Sequence, residues 1–500
     1  MAVLSRREFI RRTISSAGLL AAGYAQSACN RAAESTTMPS ATPVASPAGP
    51  SPASSFTPPP AISTTGPEPT RPTATIQPTA RPTPAAPLGV GKGIHPGRVV
   101  WTHNPQATSW DGVTGYWWEA RYTDQSAVSA MLSKALQALT GQPDDRHAWQ
   151  ALFKYYNDTH GRKGVEYRTG EKVAVKINLN SVASRNYHEN GVFTSPYVLV
   201  SVLDQLVHAG VQPEDISVYD AIRYVPPCID DARVAAGLKS VHFADWTGGD
   251  GCEQAVRDTS MQVRWSEDLK GSPTYLPTCV MDARFVINLA SLKGHNLAGF
   301  TACAKNHFGT LMNDLKGSPT INSPQGANLH ATVAAHDYNG GDPEWIWTQR
   351  PMASYNALVD LMAHPHLGEK TVLYMIDGLY AAQNQGAKLS LASRWASAPF
   401  NGYWTSSLFL SQDNVAIDSV ALDFLSSEPT ITALPDILPP HNTADNYLHE
   451  ASQIGRPPSG TVYQGAALQS LGVHEHWDGS DTKAYARNRH LKEGIELVQL

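Results

Sequence analysis

The sequence predicts an α/β fold: a mainly parallel sheet flanked by helices, with an N-terminal elaboration. Three observations carry that expectation. "KVAVKINL" (172–179) sets Val173, Val175, Ile177 and Leu179 at the period of a strand. "TSPYVLVSVLDQLVHAG" and "DISVYD" follow it and complete a strand–helix–strand unit of the kind that builds parallel sheets. Apolar runs that read as buried strands then recur downstream, and each ends in polar residues.

From the N-terminus, "SRREFIRR" places Arg6 and Arg7 ahead of a short, weakly apolar stretch, Thr13 to Ala25. Positive charge in front of such a stretch is an export-signal pattern, and the paired arginines point to the twin-arginine route. Residues 1–28 are therefore predicted as an export signal, and the protein as extracytoplasmic. "QSAC" ends at Cys29 in the manner of a lipoprotein processing site, with Gln26 where a leucine is usual. Cys29 is thus a candidate lipid anchor; plain cleavage after Ala25 or Ala28 is the alternative. Residues 29–88 are rich in Pro, Ser and Thr, a composition that cannot bury enough apolar surface to fold, and they read as a disordered tether.

Residues 89–165 form an aromatic-rich elaboration with Trp101, Trp110, Trp117 and Trp118. Residues 166–430 form the α/β core, and 431–500 a loop-rich extension. In the core, Thr194 or Ser195 suits the cap of the first helix, Pro196 its first turn and Gly210 its end. "RFVINLA" (284–290), "TVLYMIDG" (371–378) and "SSLFLSQD" (406–413) are further strands, the last leading into a helix from about Asn414. Asp413 fits a helix cap better than a catalyst. "HPH" (364–366) and "HEH" (474–476) are expected in surface loops.

Composition excludes several classes. The formal net charge is -6 with no stripe of Lys and Arg, so nucleic acid is not an expected partner. After the signal no apolar run is long enough to span a bilayer. Cys228, Cys252, Cys279 and Cys303 contain no C-x-x-C pair, so there is no ferredoxin-type iron–sulfur motif. In an oxidising compartment they allow two disulfides, or one disulfide with buried thiols.

Ligands of open α/β sheets lie beyond the carboxyl ends of the strands. The polar residues predicted there include Lys176, Asn178, Lys293, His295 and Asp377, with Lys305, Asn306 and His307 close behind. Converging ammonium and imidazole groups would hold a small anion, or the imidazoles would bind a metal. Lys293, His295, Lys305 and Asp377 are the catalytic candidates. Lys176, Asn178, Lys305 and Asn306 are the binding candidates, and His295, His307 and His330 the metal candidates.

"KINLN", "INLASLKGHNLAGFTACAKNHFG", "MIDGLYAAQNQGA" and "LSQDNVAIDSVALDFL" together resemble the prokaryotic family known as domain of unknown function three-six-two, over about 170 to 428. The resemblance implies export for many members, and a fused ferredoxin module in some; this chain lacks that module's cysteines. "HNLAGFTACAK" is in addition similar to a segment of the nickel-pincer lactate racemases. That resemblance implies an acid/base role for His295, attachment of a pyridinium-derived nickel cofactor to Lys305, and His330 as a nickel ligand. Ala302 and Cys303 stand where those racemases have paired glycines, and "DAIRY" (220–224) is the nearest counterpart of their Gly-x-His-Arg element. The sequence thus leaves two readings: a metal- or cofactor-dependent enzyme acting on a small anion by proton or hydride transfer, or a tethered anion-binding protein without catalysis.

Overall fold

A computed structural model describes residues 86–269, 273–313, 329–339, 346–432, 442–479 and 482–500. The predicted export signal, most of the tether and Cys29 lie outside the described residues.

The alternation seen in "KVAVKINL" is used on both faces of a ten-stranded sheet. Its strands are β1 (Arg98–His103), β2 (Val173–Ile177), β3 (Ile216–Tyr219), β4 (His242–Asp245), β5 (Glu253–Gln254), β6 (Phe285–His295), β7 (Gly299–Thr301), β8 (Thr371–Ala382), β9 (Ser407–Ser411) and β10 (Glu496–Gln499). Their order is β10-β1-β9-β8-β6-β2-β3-β4-β5, with β7 folded back on β6. Every pairing from β5 across to β8 is parallel. β9 runs antiparallel to both neighbours, and β10 is parallel to β1. The sheet is therefore α/β and mostly parallel, with β9 reversed; an antiparallel neighbour needs no crossover helix, and a loop joins β8 to β9.

Helices cover both faces. α1 (Gln125–Thr140), α2 (Asp145–Thr159) and α3 (Pro196–His208) pack on the face that carries Val173, Val175, Ile177, Ile287 and Leu289. α4 (Pro227–Ala235) joins them through Ile229. α5 (Cys303–Asn306), α6 (Asn414–Ser427) and α7 (Asn446–Ser452) cover the opposite face, which carries Ala174, Val286, Ala290 and Leu292. Ser195 caps α3 by accepting from Tyr197 N, with Pro196 in its first turn. Asp413 caps α6 by accepting from Val415 N and Ala416 N.

Three expectations change. Strand β6 does not stop at Ala290 but continues to His295, so Lys293 and His295 stand on the strand itself. His474 is buried on a short strand, Val473–His474, paired with Leu88–Gly89, and Glu475 is buried just after it, rather than both lying in a surface loop. The described cysteines Cys228, Cys252, Cys279 and Cys303 are all free thiols, with Cys303 buried at the start of α5. The aromatic-rich N-terminal stretch, in turn, contributes β1 to the sheet and buries Trp110, Trp117 and Trp149 in the core under α1–α3.

Candidate functional site

Because β2, β3 and β6 are parallel neighbours, their carboxyl ends lie together, and the polar residues there form a fully buried network. Lys176 donates to Asp220 Oδ2 at 3.1 Å, to Asn306 Oδ1 at 3.3 Å and to the Ile177 carbonyl. Asn178 Nδ2 donates to the same Asn306 oxygen at 3.2 Å. Lys293 Nζ donates to Asn178 Oδ1 at 3.1 Å and to the Val192 carbonyl at 2.8 Å. Asn306 Nδ2 passes the chain on to Asn288 Oδ1 at 2.8 Å, and Asn288 Nδ2 lies 3.0 Å from His307 Nε2.

Gly309 closes this network by close approach: a Cβ there would stand 2.6 Å from Lys176 Nζ and 2.9 Å from Asp220 Oδ2. Burial disfavours the charged form of every cation in it. It lowers Lys176, takes Lys293 down to about 7 with help from the Arg223 charge, and takes His307 down to about 3. His307 is therefore neutral, and among the described residues its Nδ1 finds no partner.

A second group lies further along β6. Gly299, at φ +83°, turns β7 back so that it pairs opposite His295, and α5 follows at once. Lys305 Nζ lies 3.1 Å from His330 Nε2 and 3.9 Å from the centre of the Phe308 ring. The His295 and His330 rings stack with their centres 5.8 Å apart. His295 Nδ1 accepts from Leu297 N at 3.1 Å and Ala298 N at 3.2 Å, which fixes its proton on Nε2. Burial first and the Lys305 charge second hold both imidazoles well below the usual histidine range, so both are neutral. Lys305 also faces a narrow recess whose walls include Phe300, Leu358, Asp418 and Tyr447.

The chain matches the family described as Domain of unknown function (DUF362) over residues 173–423. It belongs to that family. No curated protein matches the chain. The DUF362 match begins at the first residue of β2 and ends within α6, so it contains both polar groups.

Of the residues singled out from the sequence, the DUF362 core gathers Lys176, Asn178, Lys293 and Asn306 into one network. It gathers His295, Lys305 and His330 into another. Asp377 joins neither: its Oδ2 accepts from Ser195 N at 2.7 Å and its Oδ1 from Leu379 N at 3.0 Å, tying β8 to the start of α3. Burial lifts its pKa to about 6. His307 hydrogen-bonds within the Lys176 network rather than beside His295 and His330. Among the described residues no group of three or more His, Cys, Asp or Glu is placed to hold a metal ion. The Lys305 amine and the two imidazoles also do not make the three-ligand set of a divalent-metal site. Where the racemase-like cofactor would need glycines, the Ala302 and Cys303 side chains fill buried space. The described residues thus do not fit either group.

Sequence reading passed over Asn288 and Tyr447. An asparagine inside the apolar run "FVINLA" was the available signal for the first. Tyr447 lies in the loop-rich extension and carried none.

Proposed function

We propose that this DUF362 member is an exported enzyme that holds a small anionic molecule at Lys305 and moves a proton on it with His295 and His330. The observation that carries the reading is the Lys305–His330 pair at 3.1 Å with a neutral, tautomer-fixed His295 stacked beside His330, where Lys305 also lines the recess. A partly buried ammonium group, as at Lys305, stabilises negative charge that develops next to it better than a fully solvated one. A neutral imidazole offers its N–H to negative charge developing on a substrate and its bare nitrogen to an incoming proton. His295, presenting Nε2–H, donates the hydrogen bond to the developing anion; the Lys305 ammonium passes a proton to His330 Nε2 as its nitrogen takes one from the substrate, and the reverse transfer returns it. Export is inferred from Arg6 and Arg7 and the stretch behind them. The tether would then place the enzyme away from the cell surface, fixed there if Cys29 is acylated.

The test is solvent-deuterium exchange into small 2-substituted carboxylates, followed by NMR with the full exported chain. His295→Asn keeps an acceptor for Leu297 N and Ala298 N while removing the Nε2 proton. Exchange into at least one carboxylate is expected, falling by about 10²-fold or more in that variant and in Lys305→Met. Carboxylate binding that depends on Lys305 but shows no exchange would establish the non-catalytic binding protein instead.

A further inference from the structure

Asp418 is buried and lines the recess beside Lys305. Its Oδ1 accepts from Cys303 N at 2.8 Å, and its Oδ2 from Ala304 N at 3.0 Å and from the Tyr447 hydroxyl. All three donors are neutral, and among the described residues no cationic side chain pairs with it. A carboxylate buried without a cation is costly, because burial penalises charge that nothing opposes. Lys305 shares the recess but turns its Nζ to His330.

The walls add a second observation. The Phe300 and Tyr447 rings line the same space with their centres 6.0 Å apart, and aromatic faces attract cations. The recess is also small, with room for about one water-sized group, which is the size of a primary ammonium. A carboxylate, two aromatic rings and room for one small group together suit a small cation.

We infer that this recess is a socket for the ammonium group of a zwitterionic substrate, a small amino acid whose carboxylate is held at Lys305. The inference rests on the reading of Lys305 as the anion site and narrows its substrate class. Burial lifts Asp418 to about 6, so above that pH the recess carries the negative charge that an ammonium group would balance.

Calorimetric titration of the full chain at pH 8 tests it, with alanine against lactate, glycine against glycolate, and glycine against trimethylglycine. Each amino acid is expected to bind at least ten-fold more tightly than its hydroxyl counterpart, and trimethylglycine at least ten-fold more weakly than glycine. Asp418→Asn, which keeps an acceptor for α5, is expected to erase the preference for the amine. If that variant does not fold, the wild-type ligand pairs still decide. Hydroxy acids binding as well as amino acids would overturn the socket and leave the anion site standing. So would an amine preference that survives in folded Asp418→Asn. Absence of binding by all five compounds, unchanged in Lys305→Met, would overturn both.

Discussion

Lys293 has no exposed surface, and among the described residues its side-chain nitrogen is held by only an amide oxygen and a carbonyl. Its folded pKa of about 7 lies below the ~10.4 of an unfolded lysine. Between those values the unfolded chain binds a proton that the folded chain refuses, so this residue's contribution to stability is present above about 10 and is lost as pH falls towards 7. Lys293→Met removes that dependence. The unfolding free energy of the wild type minus that of the variant, from urea denaturation, is expected to fall from pH 10 to pH 7 and level off below. A difference that stays constant across that window would mean Lys293 remains charged in the fold. Lys305 contrasts with it: less buried, against an aromatic ring and an imidazole, and open to a recess, it can meet a ligand, whereas Lys293 is enclosed.

At the level of elements, both polar groups depend on how β6 ends. Its extension to His295 and the reversal at Gly299 bring α5 back over the strand, and Asp418 on α6 holds the first N–H groups of α5. The α6 start is itself fixed by Asp413, which also accepts from Lys92 N at 2.8 Å and Val473 N at 3.2 Å. Asp413→Ala therefore loses a helix cap and strands two further backbone donors, one of them buried. A cost of at least about 2 kcal/mol is expected in urea unfolding. A loss below about 0.5 kcal/mol would show that water replaces the carboxylate. Asp413 was recognisable as a cap because a side-chain acceptor before an apolar helical run is a local pattern. Its reach to Lys92 and Val473 was not, because those partners are hundreds or tens of residues away.

For the whole molecule, the DUF362 stretch is not a self-sufficient core. Residues 173–423 lack β1 and β10, which complete the sheet beside β9, and lack α1 and α2, which bury Leu132, Leu136, Trp149 and Phe153 against it. Among the described residues no helix is long and apolar enough to cross a membrane. A 173–423 fragment is expected to melt without a cooperative transition in far-ultraviolet circular dichroism, whereas residues 86–500 melt cooperatively. Cooperative melting of the fragment would show that β9 tolerates an open edge and that the outer helices are ornamental.

By itself the sequence determined the α/β class, the strand–helix–strand unit from 172 to 220, the capping of α3 and α6, and the family. Each depends on residue types at short, regular spacing, and local sterics and hydrogen bonding enforce such patterns wherever they occur. Only the tertiary structure decided that β9 is antiparallel and that the N-terminal tryptophans belong to the core. It also decided that Lys293 and His295, two residues apart, serve different groups, with His307 beside Asn288 and Asp377 a clamp. Those outcomes depend on which strand lies beside which and on where a chain reversal aims its side chains. Burial and pairing across more than a hundred residues set them, and no spacing along the chain records that.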